Sequence, residues 1–230
     1  KAGVDLTICS RTKEDIDVAA TKLSSYGVKV IALACDVTTE SGKEKLLEAC
    51  DSPDILINNA GGPPPGIWSD WSRTDFINAL DANMLTPIEL IKKVLPIMIK
   101  NKWGRIVNIT SQAVKAPVPA LGLSNSARTG LTGYVAGTSR QVARFGVNIN
   151  NLLPGMHDTK RLIDLDTALS KEKSISYEEA RNSRKDTIPV GRYGSIEEFG
   201  NTCAFLCSQY AGFIVGQNIL LDGGAVNSTI

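Results

Sequence analysis

The chain of 230 residues is 43% hydrophobic and carries 25 basic against 24 acidic side chains, a net charge of +1 with no long run of either sign. No charged face is therefore offered to nucleic acid or an anionic membrane. No apolar stretch reaches the ~18 residues of a membrane span, no charged-apolar-small leader opens the sequence, and five irregularly spaced cysteines match neither a disulfide framework nor a metal knuckle.

Residues 1–230 are expected to form one domain in a reducing compartment, the cytoplasm, with no bound metal and no nucleic-acid or membrane partner. Val4 to Cys9 reads as a strand and Thr12 to Ser25 as a helix, stopped at Tyr26-Gly27. The β-branched run Val28 to Ala34, a helix from Ser41 to Ala49 and the strand Asp54 to Ile57 continue the alternation. Beyond a stiff loop, Gly61 to Gly66, helical segments run to Asn101, followed by the strand Arg105 to Ile109 and one long helix, Ala120 to Phe145. Val147 to Leu153 is a strand closed by Pro154-Gly155. A polar segment over 156–187 reads as a helical substrate flap, and a helix from Ser195 to Ser208 leads to a last strand into Asp222-Gly223-Gly224. Near-continuous apolar strands separated by helices imply a buried parallel sheet.

Four ordered motifs carry a resemblance: Asn58-Asn59-Ala60-Gly61, the strand ending in Ser111, the turn Pro154 to Thr159, and the tail Gly216 to Gly224. Their order and spacing resemble the short-chain dehydrogenase/reductases, particularly the bacterial 3-oxoacyl-acyl-carrier-protein reductase group. The resemblance implies an α/β Rossmann-type doubly wound parallel sheet in three layers. In such sheets ligands bind beyond the carboxyl ends of the strands, where Ser10-Arg11, Asp36-Val37, Asn59-Ala60-Gly61, Ser111 and Pro154-Gly155 all fall.

The family's first strand and Gly-rich turn do not occur in this sequence. Lys1-Ala2-Gly3 reads as the end of the helix that would follow them, so a unit of roughly 25 to 30 residues is expected ahead of Lys1. A chain without that central strand would leave an open slot with unpaired backbone groups. The resemblance makes Ser10, Arg11, Asp36, Val37, Asn59, Ala60, Gly61, Arg128, Pro154, Gly155 and Thr159 cofactor contacts. Arg11, with no carboxylate before Glu14, favours NADP(H) over NAD(H), because a guanidinium pairs bidentately with phosphate.

The family's carbonyl reduction uses Asn, Ser, Tyr and Lys. Asn83 and Ser111 stand at the matching places, but the Tyr position, thirteen residues after Ser111, is Ser124 and the Lys position is Arg128. The two are one helical turn apart, so they share a face. A serine hydroxyl is a far weaker acid than a phenol, and Arg keeps its charge without passing a proton. Ser124 and Arg128 thus form a modified site with another proton donor, belong to a protein that binds NADP(H) without turnover, or are bland helix residues. His157, the only histidine, is a candidate replacement acid near the nicotinamide end, against a plain loop histidine. Tyr134 lies about 15 Å along the helix from Ser124 and is expected to pack. Lys160 and Arg161 could meet an anionic substrate.

The expected function is an NADP(H)-dependent oxidoreductase interconverting a carbonyl and a secondary alcohol, with Asn83, Ser111, Ser124 and Arg128 as catalytic candidates and a small molecule as substrate. The alternative is a non-catalytic dinucleotide-binding or assembly subunit. A homotetramer or homodimer follows from the resemblance.

Overall fold

The structure, a computed structural model, describes residues 2–228. Six parallel strands form in two pieces: β1 (Leu6–Ser10) pairs with β2 (Val30–Ala34), and β3 (Ile55–Asn58), β4 (Gly104–Ile109), β5 (Val147–Pro154) and β6 (Asn218–Leu221) lie side by side in that order. Among the described residues β1 bonds only to β2 and β3 only to β4. One backbone edge of each is left open where the resemblance places the extra strand, and Ile57 in mid-β3 is 48% exposed.

β4 and β5 are buried along nearly their whole length, with Arg105, Asn108, Asn148, Asn150 and Asn151 among their apolar residues. Ile106 and Ile149 face α4 (Thr86–Lys100) and α5 (Gly122–Val142), packing on Ile91, Val94, Met98, Leu131 and Val135. Val107 and Leu152, of opposite parity, pack on Leu206 and the buried thiols Cys203 and Cys207 of α8 (Ile196–Leu206) and its C-cap. The result is helix, sheet and helix in three layers. The remaining helices are α1 (Lys13–Ser24), α2 (Glu40–Glu48), α3 (Arg73–Leu80), α6 (Lys160–Lys173) and α7 (Tyr177–Lys185).

Local chemistry sets the helix starts. Ser72, Ser176 and Ser195 each accept the N3 backbone N–H while Asp75, Glu179 and Glu198 reach back, so α3, α7 and α8 begin with reciprocal capping boxes. Gly42, in the first turn of α2, permits close approach: a Cβ there would stand 1.9 Å from the Asp36 carbonyl oxygen. The long helix expected over 120–145 is α-helical only from Gly122 to Val142, with 3₁₀ turns at 119–121 and 143–145. Gly122 is hemmed by Trp71, and Gly146 at φ +80° turns the chain into β5.

A feature hidden from periodicity crosses the four-stranded sheet. Asn58, Asn108, Asn151 and Asn218 fall in register on adjacent strands. Asn58 Nδ2 donates to Asn108 Oδ1 at 2.8 Å, Asn108 to Asn151 at 3.1 Å, and Asn151 to Asn218 at 2.8 Å. Asn108 and Asn151 are fully buried, so each amide must satisfy its neighbour. Asn108→Ala strands one donor and one acceptor together and is expected to lower stability by ~2 to 4 kcal/mol. Urea unfolding measures this, and a loss under about 0.5 kcal/mol would contradict the ladder's role.

Candidate active site

Arg128 organises the carboxyl edge of the sheet. From α5 its Nη1 donates to the Ile109 carbonyl at the end of β4 (2.7 Å), its Nη2 to the Ala60 carbonyl in the loop after β3 (3.3 Å), and its Nε to Ser124 Oγ (3.2 Å). Ser124 and Arg128 are 7% and 8% exposed. Neither is a bland surface residue. Burial, and then the neighbouring Arg161 guanidinium, push Arg128 down to about 10, still well above neutrality, so it remains a cation with no carboxylate on it.

Ser111 lies where β4 ends. Its Oγ accepts the Ala113 backbone N–H at 3.1 Å and starts the 3₁₀ turn 112–114, which leaves the hydroxyl proton free to donate outward. Asn83 sits in a five-residue π-helical turn, Asp81–Leu85, between α3 and α4, closed by the Thr86 N–H on the Asp81 carbonyl. Such bulges re-aim side chains and gather at functional sites. Among the described residues the Asn83 Oδ1 is buried without a hydrogen-bond partner.

Pro154 pairs with Leu221 across β5 and β6, and the Gly155 N–H donates to the Leu221 carbonyl at 2.7 Å. Gly155 has no room for a side chain, since a Cβ would stand 2.8 Å from Gln112 Oε1 and 2.7 Å from the Asp222 Cα. Thr159 is the N-cap residue of α6, and its side chain makes no capping bond. Asn59 and Gly61 are exposed, and Ala60 half-buried, in the loop after β3. The stiff loop that follows is pinned by the Gly66 N–H on the Ala120 carbonyl (3.0 Å), with Trp71 packed between Gly66 and Gly122.

A second group lies at the ends of β1 and β2. Ser10 Oγ donates to the Thr12 carbonyl, and the Ser10 carbonyl accepts from Cys35. Asp36 accepts from the Thr38 N–H and hydroxyl at 3.0 and 2.8 Å. These bonds hold its carboxyl below the usual range, with a smaller contribution from Arg11. Val37 is half-buried and Arg11 exposed. Cys9 is pushed up to about 11 by burial and the adjoining Cys35, so its thiol stays protonated at neutral pH.

His157 packs on α8 and not on the Ser124–Arg128 pair. Its ring meets Phe199 of α8 edge-on at 5.2 Å, its Nδ1 lies 3.3 Å from the Gly155 carbonyl, and a Cβ on Gly194 would stand 2.8 Å from its Nε2. With Arg192, Glu198, Thr202 and Asp222 it lines a separate cavity of about 330 Å³. The replacement-acid role is thus disfavoured, because packing turns the imidazole toward α8. Tyr134 packs beside the main core cluster, as its distance along α5 implied.

An open parallel sheet with polar groups at the carboxyl edge defines a doubly wound α/β protein with its ligand site at that edge. The family model described as enoyl-(acyl carrier protein) reductase matches residues 1–226. Among proteins of similar sequence, 3-oxoacyl-acyl-carrier-protein reductase FabG of Aquifex aeolicus is 32% identical over 230 residues, covering 97% of this chain and 88% of that one. NADPH-dependent reductase BacG of Bacillus subtilis is 30% identical over 203 residues, covering 86% and 78%. Among solved structures, YwfH, an NADPH-dependent reductase involved in bacilysin biosynthesis, superposes with a TM-score of 0.90 at 28% identity, covering 97% and 89%. A single-substitution variant of the actinorhodin polyketide ketoreductase, with NADPH, gives 0.88 at 26% identity, covering 96% and 87%. The chain belongs to the short-chain dehydrogenase/reductase family of oxidoreductases.

Proposed function

We propose that this protein is an NADP(H)-dependent oxidoreductase that interconverts a carbonyl and a secondary alcohol, 3-oxoacyl reductase-like in chemistry, with a Ser/Arg pair where the family has Tyr and Lys. The observation that carries it is the buried Ser124–Arg128 pair, bonded to the carbonyls of Ala60 after β3 and Ile109 at the end of β4, which supports a polar reaction centre at the carboxyl edge of the sheet. Among the described residues Arg11 is an exposed cation with no ion pair, suited to the extra phosphate of NADP. Asp36, kept ionised, suits the adenine amino group, and the loop Asn59-Ala60-Gly61, Arg128, Pro154-Gly155 and Thr159 suit the ribose and nicotinamide end. Relatives named as NADPH-dependent reductases support the same cofactor.

When bound, that cofactor supplies the hydride. The chain's own residues orient the carbonyl and manage its proton. Ser111 donates a hydrogen bond from its hydroxyl to the carbonyl oxygen. Arg128 stabilises the negative charge that develops there. Its Nε–H on Ser124 Oγ also makes the Ser124 hydroxyl a better donor, since a hydrogen bond to the oxygen favours its deprotonated form, and solvent returns the proton. The unpartnered Asn83 Oδ1 anchors a bridging water.

The flap is residues 156–187, within one dinucleotide-binding domain over residues 1–230. No helix among the described residues is long and apolar enough to cross a membrane. The free thiols support a cytoplasmic setting, and exposed Phe205, Tyr210 and Phe213 support self-association as a dimer or tetramer.

The test is NADPH consumption across a panel of ketones and 3-oxoacyl esters, with cofactor affinity measured alongside. Arg11→Glu is expected to weaken NADPH binding about tenfold or more and NADH binding far less. Equal losses for the two cofactors would remove Arg11 from the phosphate site, and absence of binding in the unaltered protein would end the oxidoreductase proposal.

A further inference from the structure

Two guanidinium groups converge on one point from different helices. A Cβ at Gly62 would stand 3.2 Å from Arg161 Nη1 and 3.7 Å from Arg128 Nη2, so Arg161, at the start of α6, and Arg128, on α5, meet over the same glycine. Each acceptor on Arg128 is neutral. Among the described residues Arg161 makes no hydrogen bond or ion pair. On the elements around it Arg181, Arg184 and Arg192 each sit on a carboxylate, which Arg161 does not. Like charges placed together, one of them buried, are disfavoured unless an anion lies between them.

The surroundings add to the positive potential. The first turn of α6 holds Lys160 and Arg161 and no acidic residue, so its backbone N–H groups and dipole act in the same sense. Gly62 has no side chain to separate the two guanidinium groups, and Pro63, Pro64 and Pro65 after it bring no backbone donor, so donors to a ligand come from the two arginines and the start of α6.

We infer that Arg161, with Arg128, forms an anion subsite over Gly62 that selects carbonyl substrates bearing a carboxylate or phosphate. This rests on the oxidoreductase function proposed above and narrows its substrate class. Planar guanidinium groups grip such anions bidentately. Because Arg128 also holds Ser124, an anion on its outer side would set a carbonyl one or two bonds away beside the Ser124 and Ser111 hydroxyls. Arg161 is a specificity residue, and a cofactor phosphate is the rival occupant.

The probes are acetoacetate and its neutral methyl ester, with NADPH titrated separately. Binding is read from tryptophan fluorescence, to which Trp71 against Gly66 and Gly122 contributes, and turnover from NADPH consumption. Acetoacetate is expected to bind about tenfold or more tightly than the ester, and Arg161→Gln to erase most of that ratio while Arg161→Lys keeps part of it. An unchanged ratio in Arg161→Gln, or equal binding of acid and ester by the unaltered protein, would overturn the subsite. A loss confined to NADPH affinity would overturn it too, by assigning the arginines to the cofactor. Reduction of the ester alone removes the subsite and leaves the oxidoreductase. Acetoacetate binding that depends on Arg161, with no carbonyl of the wider panel reduced, keeps the subsite and removes the oxidoreductase.

Discussion

Changing Ser124 to Tyr together with Arg128 to Lys is expected to raise kcat for carbonyl reduction by ~10²-fold or more, the ordinary contribution of a well-placed general acid. The two changes are needed together. Arg128 Nε already lies 3.2 Å from Ser124 Oγ, and both side chains are buried, so a phenol added alone would press on the guanidinium. The shorter Lys vacates that space and can lower the phenol's pKa, which Arg also does by charge but at the cost of room. Ser124→Tyr by itself is therefore expected to gain little, or to lose stability through overpacking. The pH profile gives a second reading: a catalytic phenol must be protonated to donate, so the double variant's rate should fall as pH rises through the new tyrosine's pKa. Steady-state kinetics at several pH values, with melting temperature and NADPH affinity as controls, check this. No gain in a folded double variant that binds NADPH would favour the non-catalytic subunit.

Asp166→Ala is expected to remove ~3 to 5 kcal/mol of stability, because the carboxylate is fully buried and its partners are not easily satisfied elsewhere. Tyr193 Oη donates to both Asp166 oxygens at 3.0 Å, Arg184 Nε lies at 2.9 Å and Arg181 Nη1 at 3.5 Å. Burial, then the Asp166 carboxylate, push the Tyr193 phenol well up, so it stays a donor. Arg181 also holds Asp158 at 2.6 Å. One aspartate thereby ties α6, α7 and the turn after β5 to Tyr193, which packs with Leu162 and Ile188. The arginines retain some solvent contact, which places the effect nearer ~3 than ~5 kcal/mol. Since α6 also carries Arg161, acetoacetate affinity should fall along with stability. Urea unfolding and limited proteolysis within 156–187 measure the change. Asp166→Asn, which keeps the volume and one acceptor, should lose less, and equal losses in Asn and Ala would mean that the charge carries the whole effect.

Much of the fold was legible because its signals are local. The strands read at Arg105 to Ile109 and Val147 to Leu153 are β4 and β5 to within one residue, and the helix read from Ser195 begins with Ser195 as the N-cap of α8. The candidate site was legible in part for the same reason. Ser124 and Arg128 share a helix face by spacing alone, and Ser111 ends a recognisable strand. The π-helical turn around Asn83 left no such trace, since inserting a residue into a helix depends on what the turn packs against rather than on propensity. His157 shows the converse. Its place in the turn after β5 is local, but its direction is set by Phe199 and Gly194.

The amino-acid sequence by itself determined the order of elements, the family and the one-turn spacing of Ser124 and Arg128, because hydrophobic period and motif spacing act over a few residues. Only the tertiary structure decided that four asparagines form a ladder, that Asp166 collects two arginines and a tyrosine, and that Arg128 binds Ala60 from 68 residues away and meets Arg161 over Gly62. These partners are joined by strand register and helix packing, and a buried charge or amide is satisfied by whichever groups the fold brings to it.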